Sequence, residues 1–237
     1  MQKTATVPAQ LLKEASKKIG VEFTDKSLLE EALTHRSYLN ENRGLKITHN
    51  ERLEFLGDAV LELVVTEYLF KNFSNAEGDL TNWRASLVNG EKLACVAKEL
   101  EIEDFILMSK GEKKDTGKAR MYILANAMEA IIGAIYLDSG YPGASDFIHK
   151  NIIVHLKDIL EKKSYLDAKS YFQEKAQEIF QITPHYELIK EWGPDHDKNF
   201  SVALMLGEEK IAEGEGMSKQ EAQRNAAQNG LKAKGWG

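Results

Sequence analysis

The sequence predicts two domains of different class: an all-α domain over residues 1–163, then a small α+β domain of α-β-β-β-α order over residues 164–237. Three observations predict this. In the first two thirds of the chain, apolar residues recur at three- and four-residue steps, as in amphipathic helices. A charged stretch, "EKKS" at residues 161–164, follows and is a candidate linker. Beyond it, apolar and polar residues alternate, which is typical of half-buried strands.

Six segments of the first domain carry the helical spacing. They cover residues 27–39, 51–73, 78–89, 91–102, 121–140 and 144–163. Asn89-Gly90 and the "SGYPG" of residues 139–143 predict helix ends or turns between them.

The second domain is predicted to begin with a helix over residues 168–180 and to end with one over residues 218–234. Ser218 is the predicted N-cap of the last helix, and Glu221 stands at its capping-box position. The strands between them are predicted over residues 185–192, 199–206 and 210–217. In the second strand, the predicted core face carries Phe200, Val202, Leu204 and Leu206.

The composition indicates a soluble, globular and cytoplasmic protein. Of 237 residues, 43% are hydrophobic and 29% charged, and the only cysteine, Cys95, excludes a disulfide within one chain. No signal-peptide pattern opens the sequence. The most apolar run, residues 122–137, is too short to span a bilayer. The net charge of −6 means that binding of a nucleic acid would depend on local patches or on metal ions.

The segment "HNERLEFLGDAVLE", residues 49–62, carries an unusual stripe of acids. At 100° per residue, Glu51, Glu54, Asp58 and Glu62 fall on one narrow face, and Leu53, Leu56, Val60, Leu63 and Val64 fall opposite it. An ordinary solvated polar face is the alternative, and this helix by itself favours it. Gly57, however, costs about 1 kcal/mol against Ala in mid-helix, which predicts that another element packs closely there.

Glu129 stands in an almost wholly apolar helix, with Asn126 on the same face three residues before it. An unpaired buried carboxylate is expensive, so it must be neutral, paired or bound to a metal ion. The alternatives are a helix end that protrudes into solvent, or a distant partner among Arg36, Arg84 and Arg120. If the acidic stripe meets Asn126 and Glu129, the oxygen atoms suit a hard cation, Mg²⁺ or Mn²⁺. Such a site points to phosphoryl chemistry.

These motifs, with "ALTHRSYLNEN" (32–42), "EGDLTNWRASLV" (77–88) and "ILANAMEAIIGAIYLDSGY" (123–141), resemble the ribonuclease III family in order and spacing along nearly the whole chain. The tail resembles a double-stranded-RNA-binding domain. The resemblance implies an all-α endonuclease domain followed by an RNA-binding domain, and a homodimer without a small-molecule cofactor. It implies Mg²⁺-dependent cleavage of double-stranded RNA to 5′-phosphate and 3′-hydroxyl ends with two-nucleotide 3′ overhangs. Ribosomal RNA precursors and other structured RNAs are the implied substrates.

Carried over by position, the resemblance implies a metal site and a set of RNA-binding residues. The implied metal ligands are Glu54, Asp58, Asn126 and Glu129, of which Asp58 and Glu129 orient and activate the attacking water. Glu51 and Glu77 match two further acids that act on RNA or on a second cation. Phe55, beside the acidic stripe, is a candidate dimer contact, with ordinary core packing as the alternative.

Many members of the family have aspartate where this chain has Asn126. The amide keeps an oxygen ligand but loses a charge, which predicts weaker metal binding. It keeps open a second function, a double-stranded-RNA-binding dimer with weak or no cleavage.

In the second domain, the candidate RNA-binding residues are polar rather than strongly basic. They are Ser170, Gln173 and Gln177 on the first helix, His196 in the following loop, and Lys219, Gln220 and Gln223 at the start of the last helix. Glutamine can both donate to and accept from a 2′-hydroxyl. A solvated helix face and an ordinary loop histidine are the alternatives. Residues 165–237 hold nine Lys and Arg against twelve Asp and Glu, a net charge of −3, so we expect modest RNA affinity.

Overall fold

The structure is a computed structural model that describes residues 8–161, 168–194 and 198–236. The chain divides into two compact units, residues 1–162 and 163–237. The predicted linker lies mostly outside the described residues, and His196 lies outside them entirely.

The first unit is helical, as predicted. Its helices are α1 (Ala9–Ile19), α2 (Lys26–Ala32), α3 (Arg36–Glu41), α4 (Glu51–Asn72), α5 (Glu77–Val88), α6 (Gly90–Glu99), α7 (Lys110–Lys114), α8 (Lys118–Asn151) and α9 (Leu156–Glu161), with short 3-10 turns at Glu103–Phe105 and Ile153–His155. Apolar spacing did not identify α1, which buries Leu12, Ala15 and Ile19.

One predicted helix is divided in the structure, and two predicted helix ends are confirmed. Residues 27–39 form two helices, because the backbone of residues 33–35 leaves the helix to bond with Leu107. Helix α5 ends before Asn89, whose side chain accepts a hydrogen bond from Lys92 N, so that α6 starts directly at Gly90. At the "SGYPG" segment the backbone leaves the helical conformation at Gly140, which has a φ of +69°, and α8 resumes beyond this kink.

The core of the first unit is built around α8. Before the kink, most of its side chains from Ile123 to Ile135 are buried. By length and composition α8 could cross a bilayer, but 61% of its most apolar 18-residue window is buried within the structure. An apolar helix enclosed in this way is a core element.

The second unit has the predicted α-β-β-β-α order. It comprises α10 (Ala168–Phe180), β1 (His185–Trp192), β2 (Asn199–Leu206), β3 (Glu209–Gly216) and α11 (Lys219–Lys234). The strands form one antiparallel sheet in the order β1-β2-β3, with β-bulges at residues 188–190 in β1 and in the β2–β3 pairing.

Both helices of this unit pack on the face of β2 that the alternation predicted. Val202, Leu204 and Leu206 are buried and Phe200 is half-buried. The capping box is also confirmed: Glu221 N donates to Ser218 Oγ at 3.1 Å, and Met217 N donates to Glu221 Oε2 at 2.9 Å.

Candidate metal centre and nucleic-acid interface

Two glycines bring α4 and α8 into backbone contact. A Cβ atom at Gly57 would collide with the carbonyl oxygen of Glu129, and one at Gly133 would collide with the carbonyl oxygen of Leu53. The close packing predicted from Gly57 is therefore confirmed. Because the contact involves Leu53 and Gly57 on one helix and Glu129 on the other, the first turns of α4 lie beside the middle of α8.

This contact gathers Glu54 and Asp58 from α4 with Asn126 and Glu129 from α8. Burial first, and then the charges of Asp58 and Glu54, together raise the pKa of Glu129 from 4.5 to about 7. Burial also raises the pKa of Glu54, as do the charges of Glu51 and Asp58, whereas a hydrogen bond from Asn126 lowers it. The four predicted metal ligands thus lie within electrostatic reach of one another, as one oxygen-rich cluster.

None of the three candidate arginines neutralises this cluster. Arg36 Nη1 lies 3.6 Å from Glu51, Arg84 donates to Thr66 Oγ1 at 3.1 Å, and Arg120 Nε donates to Glu103 at 2.8 Å. The paired alternative for Glu129 is therefore wrong. The solvent-protruding alternative is wrong as well, because Glu129 is half-buried in mid-helix.

Three carboxylates and one amide offer a hard cation the kind of ligands it prefers. Within the described residues, no three Asp, Glu, His or Cys side chains stand as close together as bound ligands do. Like charges oppose one another in the cluster, because Asp58 raises the pKa of Glu54 and Glu129, and Glu54 raises that of Glu129. A divalent cation would relieve that repulsion and draw the carboxylates together. By its chemistry the cluster therefore fits a hard cation.

Glu51 lies at the edge of the cluster. Its carboxylate oxygens lie 3.6 Å from Arg36 Nη1 and 3.7 Å from His49 Nδ1. The sequence analysis missed His49 as a neighbour, although it lies only two residues away. Glu62, on the same predicted stripe, is exposed.

Glu77 does not join this cluster within one chain. It is the first residue of α5 and lines a cavity of about 520 Å³ with Phe70 and Leu80, near the other end of α4. Phe70 is sixteen residues beyond Glu54, which is about 24 Å along a helix.

An exposed apolar stripe on α4 escaped the sequence analysis. The side chains of Phe55, Leu63 and Phe70 are 82%, 57% and 78% exposed. Core packing of Phe55, the alternative considered above, is therefore wrong, and so is the placement of Leu63 on the buried face. The three residues fall within about 80° of one another on a helical wheel, so their spacing was the available signal.

In the second unit, the predicted RNA-binding side chains lie at the surface of two helices. Ser170, Gln173 and Gln177 are exposed and line one open depression of α10. Lys219 and Gln220 are exposed at the start of α11. Gln223 is half-buried and accepts a hydrogen bond from Lys169, a residue that the sequence analysis did not select.

Comparisons with known proteins follow the same division of the chain. Residues 25–156 match the family described as Ribonuclease-III-like, and residues 168–234 match the double-stranded RNA binding motif. Ribonuclease 3 of Nitratiruptor is 46% identical over 93% of this chain and 96% of its own length. Ribonuclease 3 of Borreliella afzelii is 42% identical, over 94% of this chain and 91% of its own length.

Among solved structures, the nuclease domain of ribonuclease III from Campylobacter jejuni is similar to this chain, with a TM-score of 0.54 and 46% identity. The match covers 63% of this chain and 97% of that domain. A second structure of that domain, with a TM-score of 0.52 and 48% identity, is described as flexible in a region involved in dimer formation.

Proposed function

The chain belongs to the ribonuclease III family, whose enzymes depend on metal ions, and we propose that it cleaves double-stranded RNA at the cluster of α4 and α8. It is an endoribonuclease that hydrolyses phosphodiester bonds, and processing of ribosomal RNA precursors is typical of its family. The observation that carries the proposal is the meeting of Glu54, Asp58, Asn126 and Glu129 at one backbone contact.

The metal ion that suits this cluster is Mg²⁺, with Mn²⁺ as a substitute, since both prefer oxygen ligands. When bound, the cation supplies Lewis-acid stabilisation of the charge that develops on phosphate oxygens. Glu54, Asn126 and Glu129 would hold it, and Asp58 completes the ligand set.

Asp58 and Glu129 have the properties required to handle the attacking water. Asp58 is exposed, and so can reach a water molecule beside RNA. Glu129 belongs to the same cluster, so its carboxylate oxygens can accept a hydrogen bond from that water and orient it. Attack of water on phosphorus with departure of the 3′ oxygen gives a 5′-phosphate and a 3′-hydroxyl end.

The exposed stripe of α4 supports a homodimer. If two copies of α4 pair antiparallel about Leu63, Phe55 of one copy meets the Phe70 region of the other, as a twofold interface requires. The same pairing brings Glu77, which lines a cavity at that end of α4, toward the partner's cluster. Two sites across such a dimer would each cut one strand and leave the two-nucleotide 3′ overhang. The dimer would act in the cytoplasm, without contact to a membrane.

Sedimentation tests the dimer. Phe55→Asp places a charge in the proposed apolar interface, so we expect a monomer at micromolar concentration and no cleavage. Glu22→Asp, on the exposed chain before α2, is a control that should remain dimeric. A dimeric Phe55→Asp variant would contradict this interface.

Cleavage of a long RNA duplex tests the activity. The wild-type chain should cut the duplex in Mg²⁺ and spare it in EDTA, and Glu129→Gln should retain binding without cutting. Glu62→Gln, a matched change at an exposed acid of α4, should cut normally. If the wild-type chain shifts the duplex but leaves it intact at millimolar Mg²⁺ or Mn²⁺, the protein is instead a binding dimer, the second candidate that Asn126 favours.

A further inference from the structure

Lys169, the second residue of α10, reaches across to α11. Its Nζ atom lies 2.7 Å from Gln223 Oε1 and 5.2 Å from the centre of the Tyr186 ring. An ammonium group only donates hydrogen bonds, so the atom of Gln223 that it contacts must be the amide oxygen. The amide NH₂ group of Gln223 therefore faces away from Lys169, with both of its donors directed elsewhere.

Lys219 lies on the same face of α11 as Gln223, because the two residues are four positions apart. Its Nζ atom lies 5.8 Å from the centre of the Phe200 ring. Both lysines thus place the ammonium group over the face of an aromatic ring, which attracts the cation. Gln223 stands between a cation on α10 and a cation on α11.

The lysines of this unit divide into those that pair with a glutamate and those that do not. Residues 165–237 are net acidic and contain eight lysines. Four of the eight form ion pairs with glutamates: Lys175 with Glu178, Lys198 with Glu191, Lys210 with Glu213 and Lys234 with Glu209. Within the described residues, no carboxylate pairs with the other four, which are Lys169, Lys190, Lys219 and Lys232. Of these four, Lys169 and Lys219 lie on either side of Gln223.

We propose that Lys169 of α10 positions the RNA-binding side chain of Gln223 for contact with the phosphate backbone. Its hydrogen bond fixes the Gln223 amide as a donor, and its ammonium group adds a positive charge to that of Lys219. Phosphate oxygens only accept hydrogen bonds, so a site made of donors alone selects the RNA backbone and reads no sequence. This inference rests on the proposed binding of double-stranded RNA and names a residue responsible for it.

The test measures how the full chain binds a fluorescent RNA duplex in EDTA, which prevents cleavage, at several KCl concentrations. Lys169→Met keeps the chain over Tyr186 but removes the charge. We expect about tenfold weaker binding at 0.1 M KCl, since a charge-assisted hydrogen bond is lost. The slope of log affinity against log salt should fall by about one, as for one lost phosphate contact. Lys169→Arg should restore both values.

Two further variants separate this role from a structural one. Gln223→Glu keeps the link to Lys169 but neutralises it with a carboxylate, so it should lower the salt slope in a protein that remains folded. Lys232→Met removes the same charge from the exposed far end of α11, about 20 Å from Lys219, and should leave the slope unchanged. Circular dichroism melts of every variant confirm the fold.

The outcomes are distinguishable. If the wild-type chain binds the duplex and Lys169→Met matches Lys232→Met in both affinity and salt slope, the inference is overturned while the proposed function stands. A loss of affinity in Lys169→Met without a change in slope also overturns it, since the residue would then act only through the fold. If the wild-type chain binds no duplex, the proposed function fails and this inference fails with it.

Discussion

Replacing Asn126 by aspartate should lower the free energy of unfolding of the metal-free protein and raise its affinity for a divalent cation. The amide of Asn126 now donates a hydrogen bond to Glu54, in a cluster where Glu129 already has a pKa of about 7. An aspartate cannot donate when ionised, and it adds a third like charge around Glu129. Only a cation can offset both effects.

The magnitude follows from these contacts. Loss of a hydrogen bond to a charged group costs about 1.5–3 kcal/mol. Repulsion from a neighbouring carboxylate costs a few tenths of a kcal/mol, as for like charges on a helix surface. The free energy of unfolding in EDTA should therefore fall by about 2 kcal/mol, which lowers the Tm by roughly 4–8 °C for a chain of this size. With a divalent cation bound, an added unit charge about 4 Å away contributes about 8 kcal/mol before desolvation at an effective dielectric constant of about 20, so tenfold tighter binding is a modest expectation.

Thermal melts in EDTA and across a MgCl₂ titration measure both effects without relying on activity. The rise in Tm with Mg²⁺ should be larger in Asn126→Asp than in the wild-type chain, and half of it should be reached at a lower Mg²⁺ concentration. Asn82→Asp, an exposed change on α5, controls for the added charge. The reasoning is refuted if Asn126→Asp responds to Mg²⁺ equally or more weakly, or if cleavage by this variant needs as much Mg²⁺ as cleavage by the wild-type chain.

Three other predictions concern stability. Glu129 keeps its proton up to about pH 7 in the folded chain but loses it near pH 4.5 when unfolded, so the folded state in EDTA should become less stable as pH rises from 4.5 to 7. Urea unfolding should show this slope, and Glu129→Gln should reduce it to the part that the raised pKa of Glu54 contributes; an unchanged slope would contradict the assignment. Gly57→Ala should lower the free energy of unfolding by about 3 kcal/mol or prevent folding, because its Cβ would meet backbone atoms of α8, whereas Gly78→Ala, with open space around it, should stay within about 0.5 kcal/mol of wild type; comparable values would contradict the close contact. Trp236→Ala should destabilise the second unit by about 1–3 kcal/mol in a denaturation experiment, because the indole packs 5.0 Å from the ring of Phe172; an unchanged midpoint would show that this contact contributes nothing.

The second unit could be predicted closely from the sequence. The change from a helical to an alternating pattern located α10, β1 and β2 at their observed bounds, because each buries one face against a single core. The N-cap at Ser218 could also be predicted from the sequence, because capping depends on a few adjacent residues.

The orientation of α4 could not be predicted in the same way. The helical wheel placed Leu56 and Leu63 on the face predicted to be buried. In the structure Leu61 and Val65 are buried, and Leu63 is exposed. The reason is that α8 approaches α4 through Gly57, and a glycine carries no hydrophobic signal of its own. The spacing of apolar residues indicates which side chains could be buried. The backbone contact at Gly57 determines which of those side chains face α8.

The metal cluster was foreseeable only in part. A lone carboxylate in an apolar helix drew attention to Glu129, and the family resemblance supplied Glu54 and Asp58 as its neighbours. The hydrogen bond from Lys169 to Gln223 joins residues 54 positions apart, and no local sequence pattern predicts such a contact. The same holds for the separation of Glu77 from the cluster, which depends on how α5 packs against α4.

Crystals soaked in Mn²⁺ and measured for anomalous scattering test the central claim most directly, because the signal locates the cation without reference to activity. We expect one strong peak per chain between α4 and α8, at about 2.0–2.3 Å from oxygen atoms of Glu54, Asn126 and Glu129. The peak should disappear in Glu129→Gln. A chain that cuts duplex RNA in Mn²⁺ while its cation lies elsewhere would contradict the assignment of this cluster as the metal centre.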